Sequence, residues 1–371
     1  MTFLIISHVT HKKYKDGLYA YAPYVREMNL WLKYVDAVEI VAPLSYEKKS
    51  SIDAIYSHNK IKFNQIPEIE FTSVLKSLYS FLKMPIILFS IFKACKKANH
   101  IHLRCPGNIG LLGCFVQILF PNKIKTAKYA GNWDPNSKQP FSYKFQKWVL
   151  RNTFLTKNIK VLVYGNWNDK SRNIYPFFTA TYGEAEKEVL ANKNFNKNIN
   201  LLFVGTLSKG KQPLLSVKVV NELRKLGFDA YLDIYGEGEE RNNIEKFISN
   251  NNLKSYITLY GNRDKETIKL AYQKAHFLVF ISKSEGWPKV VAEAMFWKCL
   301  PISTNVSCIP EMLNYGERGS VVRPHLDEII NKITFYINNH SVYKEKVQKA
   351  FNWSRIYTLD KFENEIQNLL I

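Results

Sequence analysis

Two glutamates, Glu285 and Glu293, stand eight residues apart around the start of a predicted helix in the second half of the chain. The helix follows a continuous apolar run that is typical of a buried strand. In its first turn the amides of Lys289 and Val290 have no partner within the helix, so they suit a phosphate group. Glu293 falls on the same face about one turn (~5.4 Å) further along, where it could accept hydrogen bonds from a sugar diol joined to that phosphate. The two carboxylates could therefore bracket a nucleoside diphosphate sugar; the alternative is that both are ordinary surface glutamates.

A second candidate for phosphate chemistry is the loop 203–213, which includes the end of another predicted strand. Gly205 would allow the backbone to approach a ligand closely, and Lys209 and Lys211 could neutralise a diphosphate leaving group. The spacing excludes a Walker A loop. Gly236 lies in a further glycine-containing turn that also follows a strand. Plain turns between a strand and a helix are the alternative at both places.

Weaker candidates lie in the first half of the chain, at the ends of predicted strands. Gly17 belongs to a basic loop after the first strand and could let the backbone approach phosphates, unless the loop is merely flexible. Arg104 follows the strand 100–103 and could contact a ligand or form a structural ion pair. His8 and His102 are interpreted as strand histidines with satisfied hydrogen bonds. The sequence has no D-x-D triplet, so no metal site for a diphosphate is predicted.

The elements that must position these residues alternate between short apolar runs and helical patterns, which is typical of α/β proteins with parallel sheets. The chain has 371 residues, 46% of them hydrophobic and 23% charged, which fits two folded domains and excludes a mainly disordered chain. Five scattered cysteines indicate neither a disulfide framework nor a zinc ribbon. The Asn- and Lys-rich run 191–200 is interpreted as a linker. We therefore predict an N-terminal domain over 1–190, a C-terminal domain over 191–352 and a final helical segment over 353–371.

The second half of the chain resembles glycosyltransferase family 4, whose members have the GT-B fold. The resemblance rests on an ordered set of segments over about residues 200–325, and the set is more specific than any one of its members. These segments are Val204-Gly-Thr-Leu-Ser-Lys-Gly-Lys, Tyr235-Gly-Glu-Gly-Glu-Glu-Arg, Leu259-Tyr-Gly-Asn, the Glu285-x7-Glu293 pair, Cys299-Leu-Pro-Ile-Ser-Thr and Ile309-Pro-Glu-Met. In the first half a looser resemblance rests on Tyr21-Ala-Pro-Tyr-Val-Arg-Glu-Met-Asn and Leu103-Arg-Cys-Pro-Gly-Asn.

This resemblance implies two Rossmann-like domains whose parallel sheets face each other across a cleft, with the final helix returning to the N-terminal domain. It also implies transfer of a sugar from a nucleoside diphosphate with retention of the anomeric configuration. In the family pattern Glu293 would bind the nucleotide ribose, and Glu285 would contact the hydroxyls of the donor sugar. Lys211 would bind the pyrophosphate, and the amides after Gly286, beginning with Trp287, would bind the distal phosphate. The donor would be a substrate, and neither a prosthetic group nor a metal is expected.

Two positions depart from the family pattern. Thr206 stands where an Arg commonly follows the strand glycine, and Lys209 could supply the missing charge. In the first domain, Asn132 and Asp134 stand near the place where many members carry a His beside the reacting sugar. Either side chain could contact the sugar there, but the role of the His is not carried over.

The net charge is +20, of which residues 1–190 carry +14 and residues 191–371 carry +6. Of the 52 basic residues 42 are Lys, which favours a solvated surface or an acidic membrane over nucleic acid as the reason for the excess. The segment 73–97 combines apolar bulk with five lysines and no acid, as in helices that lie in a membrane interface. A core helix with exposed lysines has the same composition. Pro85 is expected to break or kink this helix, and no uncharged apolar run reaches the ~20 residues that span a bilayer.

We therefore predict a glycosyltransferase that transfers a hexose from a nucleotide sugar to a saccharide or lipid-linked saccharide acceptor, in the synthesis of a bacterial surface polysaccharide. The apolar N-terminus fits a first strand and not a signal peptide, so we expect a cytoplasmic protein at the inner face of the plasma membrane. Two alternatives stay open. One is a sugar-nucleotide epimerase or phosphorylase on the same fold, and the other is a catalytically silent protein that binds a membrane or a polyanion.

Overall fold

The structure is a computed structural model that describes residues 1–50, 52–195 and 198–370. The chain divides into two compact units. Unit 1 comprises Met1–Phe177 and Glu363–Ile371, and unit 2 comprises Phe178–Phe362. Each unit is built around its own parallel sheet, so the predicted α/β fold class is confirmed.

Unit 1 has a seven-stranded sheet, in which every pairing between neighbours is parallel. The strands of unit 1 are β1 (Thr2–Ile6), β2 (Lys12–Tyr14), β3 (Gly17–Tyr21), β4 (Ala37–Pro43), β5 (Asp53–Ile55), β6 (Ile61–Ile66), β7 (His100–Cys105), β8 (Ile124–Tyr129), β9 (Ile159–Tyr164) and β10 (Ile174–Phe177). Its helices are α1 (Ala22–Leu32), α2 (Val74–Lys97), α3 (Asn108–Val116) and α4 (Phe141–Arg151). The order in the large sheet is β10-β9-β8-β7-β1-β4-β6, and β2, β3 and β5 form a small antiparallel sheet beside it.

Unit 2 has a six-stranded sheet that is also parallel throughout. Its strands are β11 (Ile199–Val204), β12 (Ala230–Tyr235), β13 (Ile257–Gly261), β14 (Phe277–Phe280), β15 (Leu300–Thr304) and β16 (Ser320–Val322). Its helices are α5 (Pro213–Lys225), α6 (Arg241–Asn250), α7 (Lys265–Lys274), α8 (Lys289–Phe296), α9 (Ile309–Met312), α10 (Leu326–Asn338) and α11 (His340–Ser354). The last helix, α12 (Leu359–Leu370), begins in unit 2 and ends in unit 1.

The strand order of unit 2 is β13-β12-β11-β14-β15-β16. The chain therefore winds outward from β11 in one direction, returns to the middle, and winds outward from β14 in the other. In sheets of this kind ligands bind outside the carboxyl ends of the two strands where the winding reverses. The loops after β11 and β14 contain two of the predicted phosphate-binding segments, so the topology brings them to one place. Unit 1 reverses in the same way between β1 and β7.

The boundary between the units falls after Phe177, earlier than the predicted boundary between residues 190 and 191. The reason is that the segment around Tyr182 already packs in unit 2, where its ring lies 5.1 Å from that of Phe296 and 5.0 Å from that of Trp297. Two residues of the predicted linker, Asn196 and Lys197, lie outside the described residues.

The final segment joins unit 1 only from residue 363 onward. Lys33 Nζ lies 2.9 Å from both carboxylate oxygens of Glu363, and Lys160 Nζ donates to the Asn368 carbonyl at 3.5 Å. Ile371, the last residue of the predicted segment 353–371, lies outside the described residues.

Helix α2 differs from its prediction. It continues through Pro85 for 24 residues, and by length and composition alone it is long and apolar enough to cross a membrane. The sequence prediction that no segment spans a bilayer considers only uncharged apolar runs, and Lys83 interrupts such a run within α2. The sequence prediction also expects Pro85 to break or kink the helix. A proline removes one backbone donor, and the packing of Ile87 and Ile91 in the core of unit 1 holds the helix together on its carboxyl side.

Candidate active site

The loops after β11 and β14 meet at the point where the winding of the unit 2 sheet reverses. The amide of Lys283 donates to the Gly210 carbonyl at 2.9 Å, which ties the two loops to each other. Ser282, two residues after the end of β14, is held in turn by Thr304 at the end of β15. The Ser282 amide donates to Thr304 Oγ1 at 3.0 Å, and that hydroxyl donates to the Ser282 carbonyl at 2.6 Å. These bonds fix the backbone from which Glu285 projects.

The central feature is an ion pair between Lys211 and Glu285. Lys211 Nζ lies 2.6 Å from Glu285 Oε1, and Ser282 Oγ donates to the same oxygen at 2.7 Å. The ammonium group also lies 4.7 Å from the centroid of the Phe280 ring, a favourable position for a cation. The lysine side chain is 27% exposed and the glutamate 11%. When a ligand binds, the ammonium group of Lys211 could pair with a phosphate in place of Glu285. The carboxylate of Glu285 could then accept hydrogen bonds from hydroxyls of the ligand.

Gly205 and Gly236 allow the loops after β11 and β12 to touch. Both have positive φ, +149° and +137°, and a Cβ on Gly236 would lie 1.9 Å from the Gly205 carbonyl oxygen. A Cβ on Gly205 would lie 3.4 Å from the stem of Lys211. Gly236 thus makes room for the backbone that leads to Lys211, and its contact with a ligand stays a prediction.

Glu293, on α8, lies in a pocket within unit 2. Its Oε1 accepts a hydrogen bond from Thr181 Oγ1 at 2.6 Å, and its Oε2 accepts one from Tyr272 Oη at 3.0 Å. Burial and the Glu293 charge together raise the pKa of Tyr272 well above its usual value, and they raise the pKa of Tyr182 too. The pocket is lined by residues 179–182 and by Lys289, Ala292, Glu293, Phe296, Ser354 and Tyr357. It places Lys289 and Glu293 on successive turns of one helix, as the spacing predicts.

The entry to α8 corrects one prediction. The Lys289 amide has no partner within the helix, as expected, but it is not left for a phosphate, because it donates to the Trp287 carbonyl at 2.9 Å. Pro288, with φ −77° and ψ 83°, is the central residue of an inverse γ-turn, which closes this short bond. The Gly286 carbonyl is anchored from the other side by Ser307 Oγ at 2.7 Å. Phosphate binding by the amides of Trp287 and Val290 stays a prediction.

Lys209 is exposed, and its backbone amide donates to Glu239 Oε1 at 3.3 Å. Thr206, at the position of the expected Arg, is also exposed. The hydrogen bond of Lys209 is made by its backbone amide to Glu239, whereas the ion pair of Lys211 is made by its side chain to Glu285. Of the two lysines of this loop, Lys211 is therefore the one that the structure places with Glu285.

Arg104 occupies the carboxyl end of β7, where the unit 1 sheet reverses. Its Nη1 lies 3.5 Å from Glu27 Oε1, and its guanidinium carbon lies 5.2 Å from the Tyr24 ring centroid. These contacts fit the structural ion pair that the sequence left open. The loop around Gly17 is a β-hairpin between β2 and β3, and Ile55 fills the space beside the glycine, since a Cβ there would lie 2.8 Å from Ile55 Cδ1. The hairpin is thus packed, in contrast to the flexible loop that was the alternative for this segment.

Asn132 and Asp134 hold a turn in unit 1. Asn132 Oδ1 accepts from the Asp134 amide at 2.9 Å, and Asp134 Oδ1 accepts from the Asn136 amide at 2.8 Å. Bonds to the amide two residues on are typical of Asx-turns. His102 is a buried residue of β7, as interpreted, and its Nδ1 is hydrogen-bonded to Thr126 Oγ1 at 2.8 Å. Its Nε2 is buried without a hydrogen-bond partner among the described residues, so only one of its two ring nitrogens is satisfied. His8 is exposed and follows the end of β1, so its interpretation as a strand residue was wrong.

Sequence reasoning missed three polar residues of the site, namely Ser282, Thr181 and Tyr272. Ser282 carried a signal, because it is the first polar residue after the buried strand β14. Thr181 and Tyr272 carried none, since they lie 112 and 21 residues from Glu293 along the chain. Among residues 1–50, 52–195 and 198–370, no cluster of three or more His, Cys, Asp or Glu side chains is arranged to hold a metal ion.

Residues 185–353 match a protein-family model described as glycosyl transferases group 1. An uncharacterized glycosyltransferase of Methanocaldococcus jannaschii is 27% identical over 198 residues, which are 51% of this chain and 53% of that protein. An undecaprenol-diphosphate-linked saccharide α-1,4-N-acetyl-D-galactosaminyltransferase of Campylobacter jejuni is 25% identical over 49% of this chain and 51% of its own. The chain thus spans about half the length of these relatives. A capsular polysaccharide biosynthesis glycosyltransferase of Staphylococcus aureus is 23% identical over 93% of this chain and 85% of its own.

Two solved structures illustrate the similarity of fold. Sucrose-phosphate synthase from Thermosynechococcus elongatus has a TM-score of 0.69 at 15% identity, over 100% of this chain and 98% of its own. HepE from Anabaena, solved in complex with UDP, has a TM-score of 0.68 at 12% identity, also over 100% and 98%. The chain therefore has the GT-B fold, and over residues 185–353 it is similar to the group 1 glycosyl transferases.

Proposed function

We propose that this protein is a glycosyltransferase that moves a sugar from a nucleoside diphosphate sugar to a saccharide or lipid-linked saccharide acceptor. The observation that carries the proposal is the Lys211–Glu285 pair, which lies at the reversal point of the unit 2 sheet. Glu293 and Lys289 add a carboxylate and a cation in a pocket on the helix that follows the Glu285 loop. The similarity to group 1 glycosyl transferases covers this same part of the chain.

The roles of these groups follow from their charges. During transfer the bond between the sugar C1 and the diphosphate breaks, and negative charge develops on the leaving diphosphate. Lys211 would exchange Glu285 for the diphosphate and stabilise the charge that develops there. Glu285, released from Lys211, would accept hydrogen bonds from the hydroxyls of the donor sugar. Glu293 would accept bonds from the ribose, in exchange for those from Thr181 and Tyr272.

The finer details of the proposal come from the resemblance in sequence. We infer membership of glycosyltransferase family 4, retention of the anomeric configuration, and a hexose as the transferred sugar. The functions named for the relatives from C. jejuni and S. aureus support a lipid-linked saccharide acceptor and the synthesis of a surface polysaccharide. HepE, a neighbour in fold, binds UDP, which makes UDP-sugars the first donors to test. We propose that the protein works in the cytoplasm, at the inner face of the plasma membrane.

The first experiment is a thermal-shift screen against UDP-, GDP-, ADP- and TDP-sugars. A ligand at 100 times its dissociation constant stabilises the folded state by about 2.7 kcal/mol, a clear rise in melting temperature. The stabilising donor is then incubated with lipid-linked and free saccharides, and the sugar is followed into the product. Transfer to an acceptor supports the proposal. Free epimerised product, or turnover that requires inorganic phosphate, would favour an epimerase or a phosphorylase, and no stabilisation by any donor would contradict a nucleotide-sugar site.

A further inference from the structure

The outer side of α2 is an apolar surface that the protein leaves in solvent. Six large side chains on it recur at spacings of three and four residues, so they form one stripe about 100° wide. Each is between 59% and 70% exposed: Leu75, Leu78, Tyr79, Leu82, Ile86 and Phe89. Single exposed apolar residues are common in folded proteins, but a continuous stripe of this length marks an interaction surface.

The same helix is fixed to the protein on its opposite side. Ile87, Ile91 and Cys95, spaced by four residues, are fully buried in the core of unit 1. A helix that supplies core residues to the sheet cannot leave it to cross a bilayer without exposing that core. By length and composition alone α2 could span a membrane, and only 17% of its apolar stretch is buried. That buried side nevertheless supplies core residues of unit 1, which ties the helix to the fold. The geometry therefore favours a helix that lies on an apolar phase and does not cross it.

The exposed stripe ends in positive charge. Lys93, Lys96 and Lys97 continue the stripe on the same side of α2, and all three are exposed. We name the six apolar residues and these three lysines the α2 face. The apolar side chains lie along the first two thirds of the α2 face and the lysines at its carboxyl end. This arrangement suits the boundary of a bilayer, where lysine side chains reach into the headgroups.

Neighbouring helices extend this surface. Helix α2 packs beside α3, and α3 packs beside α4. On α4, Phe141 and Trp148 stand seven residues apart and are 81% and 55% exposed. Phe145 links them to α3, with ring centroids 5.7 Å from Trp148 and 5.8 Å from Phe115. Exposed aromatic rings are enriched at the level of lipid headgroups.

The charge of this part of the chain specifies the partner. Residues 73–160 contain fifteen Lys or Arg and a single acidic residue, Asp134. An apolar stripe bordered by so many cations is complementary to an apolar phase covered by anions, which describes a bilayer with anionic phospholipid. A nucleic acid would meet the charge but not the apolar stripe, and a second copy of this chain would bring the same positive charge against it.

We propose that the α2 face docks unit 1 on the surface of a bilayer that contains anionic phospholipid. The inference does not depend on the proposed activity, because it concerns residues outside the donor site. If both hold, the docking places the protein beside lipid-linked acceptors.

Vesicle sedimentation tests the proposal with the full chain. We expect the protein to sediment with vesicles of phosphatidylcholine and phosphatidylglycerol at low salt, and to remain in solution with phosphatidylcholine alone. High salt should release it from the anionic vesicles, since salt screens charges beyond about 10 Å at 0.1 M. Equal binding to neutral vesicles would overturn the anionic part of the proposal, and no binding to either kind would overturn it entirely.

Two sets of variants locate the surface. Replacing Lys93, Lys96 and Lys97 by Gln should weaken partitioning about a hundredfold, at about 1 kcal/mol for each lysine near the surface. The pair Leu82→Glu and Phe89→Glu should reduce binding even at low salt. The controls are exposed residues of unit 2, with Lys246, Lys254 and Lys332 replaced by Gln in one variant and Leu270 by Glu in another.

The effects of these variants are distinct from those at the donor site. Each variant is first compared with the native protein by thermal melting, with and without the stabilising nucleotide sugar, so that misfolding and loss of the donor site are recognised. If the unit 2 controls lower binding as much as the α2 variants do, binding reflects overall charge and the proposal is wrong. If gel filtration shows a dimer that the Leu82→Glu, Phe89→Glu pair dissociates, the occupant of the face is a second copy and the proposal is also wrong.

Discussion

Glu293 already satisfies two hydroxyl donors, Thr181 and Tyr272, before any ligand arrives. A ribose that binds there has to share or replace these bonds. The replacement Glu293→Ala should therefore remove a charge-assisted bond to the nucleotide worth roughly 1.5–3 kcal/mol, which corresponds to about ten- to hundredfold weaker binding. Calorimetry with the nucleoside diphosphate of the preferred donor measures it. Glu266→Ala, an exposed glutamate on α7, is the control, and unchanged affinity in the Glu293 variant would contradict the assignment.

Lys211 and Lys209 allow a matched comparison, because they lie two residues apart in one loop and only Lys211 is paired with Glu285. If Lys211 carries the developing charge, Lys211→Met should lower kcat by roughly 10²–10³-fold, the usual cost of one lost stabilising group. Lys209→Met should change kcat little. Steady-state transfer assays decide between them, and an equal or larger loss in the Lys209 variant would show that the other lysine contacts the diphosphate.

The same assignment makes a prediction about metals. If Lys211 and helix amides stabilise the leaving diphosphate, transfer should continue at its normal rate in the presence of EDTA. The rate is measured before and after chelation, with the donor and acceptor unchanged. A loss of activity that Mg²⁺ or Mn²⁺ restores would show that an ion carries this charge.

At the scale of elements, the contact between the β11 and β12 loops decides how well the site is held. A Cβ on Gly236 would overlap the Gly205 carbonyl, whereas a Cβ on Gly227 (φ +87°) would meet nothing within 4 Å. Gly227→Ala should thus cost only the strain of a positive φ, about 1–2 kcal/mol. Gly236→Ala should cost more, about 3 kcal/mol or above, because backbone must move.

Urea unfolding of both glycine variants gives these free energies. Donor affinity is measured on the folded fraction of each variant. We expect it to fall for Gly236→Ala, because the added Cβ would push the Gly205 backbone, and with it the loop that carries Lys211, out of place. We expect it to stay unchanged for Gly227→Ala. Equal destabilisation of the two variants would mean that the loop contact is soft and does not position the lysine.

At the scale of the whole molecule, buried histidines couple stability to pH. Burial lowers the pKa of His11, His100 and His276 to about 4, and lowers that of His102 well below its usual value. Unfolding returns these groups to a pKa near 6.5, so the unfolded chain binds more protons between about pH 6.5 and 4. Stability is therefore fully present above about pH 6.5 and is lost as the pH falls, by up to about 1.4 kcal/mol per pH unit for each histidine.

Urea unfolding at a series of pH values between about 7 and 5 checks this dependence. Three of the four histidines belong to unit 1 and one to unit 2, so unit 1 should lose more stability on acidification. His100→Asn should flatten the slope, while the exposed His325→Asn should leave it unchanged. A stability that does not vary over this range would show that these histidines bind protons equally in the folded and unfolded states, which would contradict the lowered pKa values.

The sequence by itself determined the α/β class of the protein and named the main residues of the candidate donor site. Short apolar runs between helical patterns specify parallel strands, because both faces of such strands are buried. The residues that follow these runs must lie at the carboxyl end of the sheet, which is why Lys211 and Glu285 could be named in advance. The eight-residue spacing of Glu285 and Glu293 likewise depends only on local geometry, namely a loop followed by the first turns of a helix.

The tertiary structure decided everything that depends on residues distant in the chain. Thr181 and Tyr272 reach Glu293 only because the start of unit 2 and α7 fold against α8, and no local pattern encodes that contact. The packing role of Gly236 emerges only when the Gly205 carbonyl is brought beside it. The sequence showed that α2 is apolar and basic, but composition is the same for a buried and an exposed helix. Only its packing, which buries one side in the core of unit 1 and leaves the opposite side in solvent, distinguishes the two.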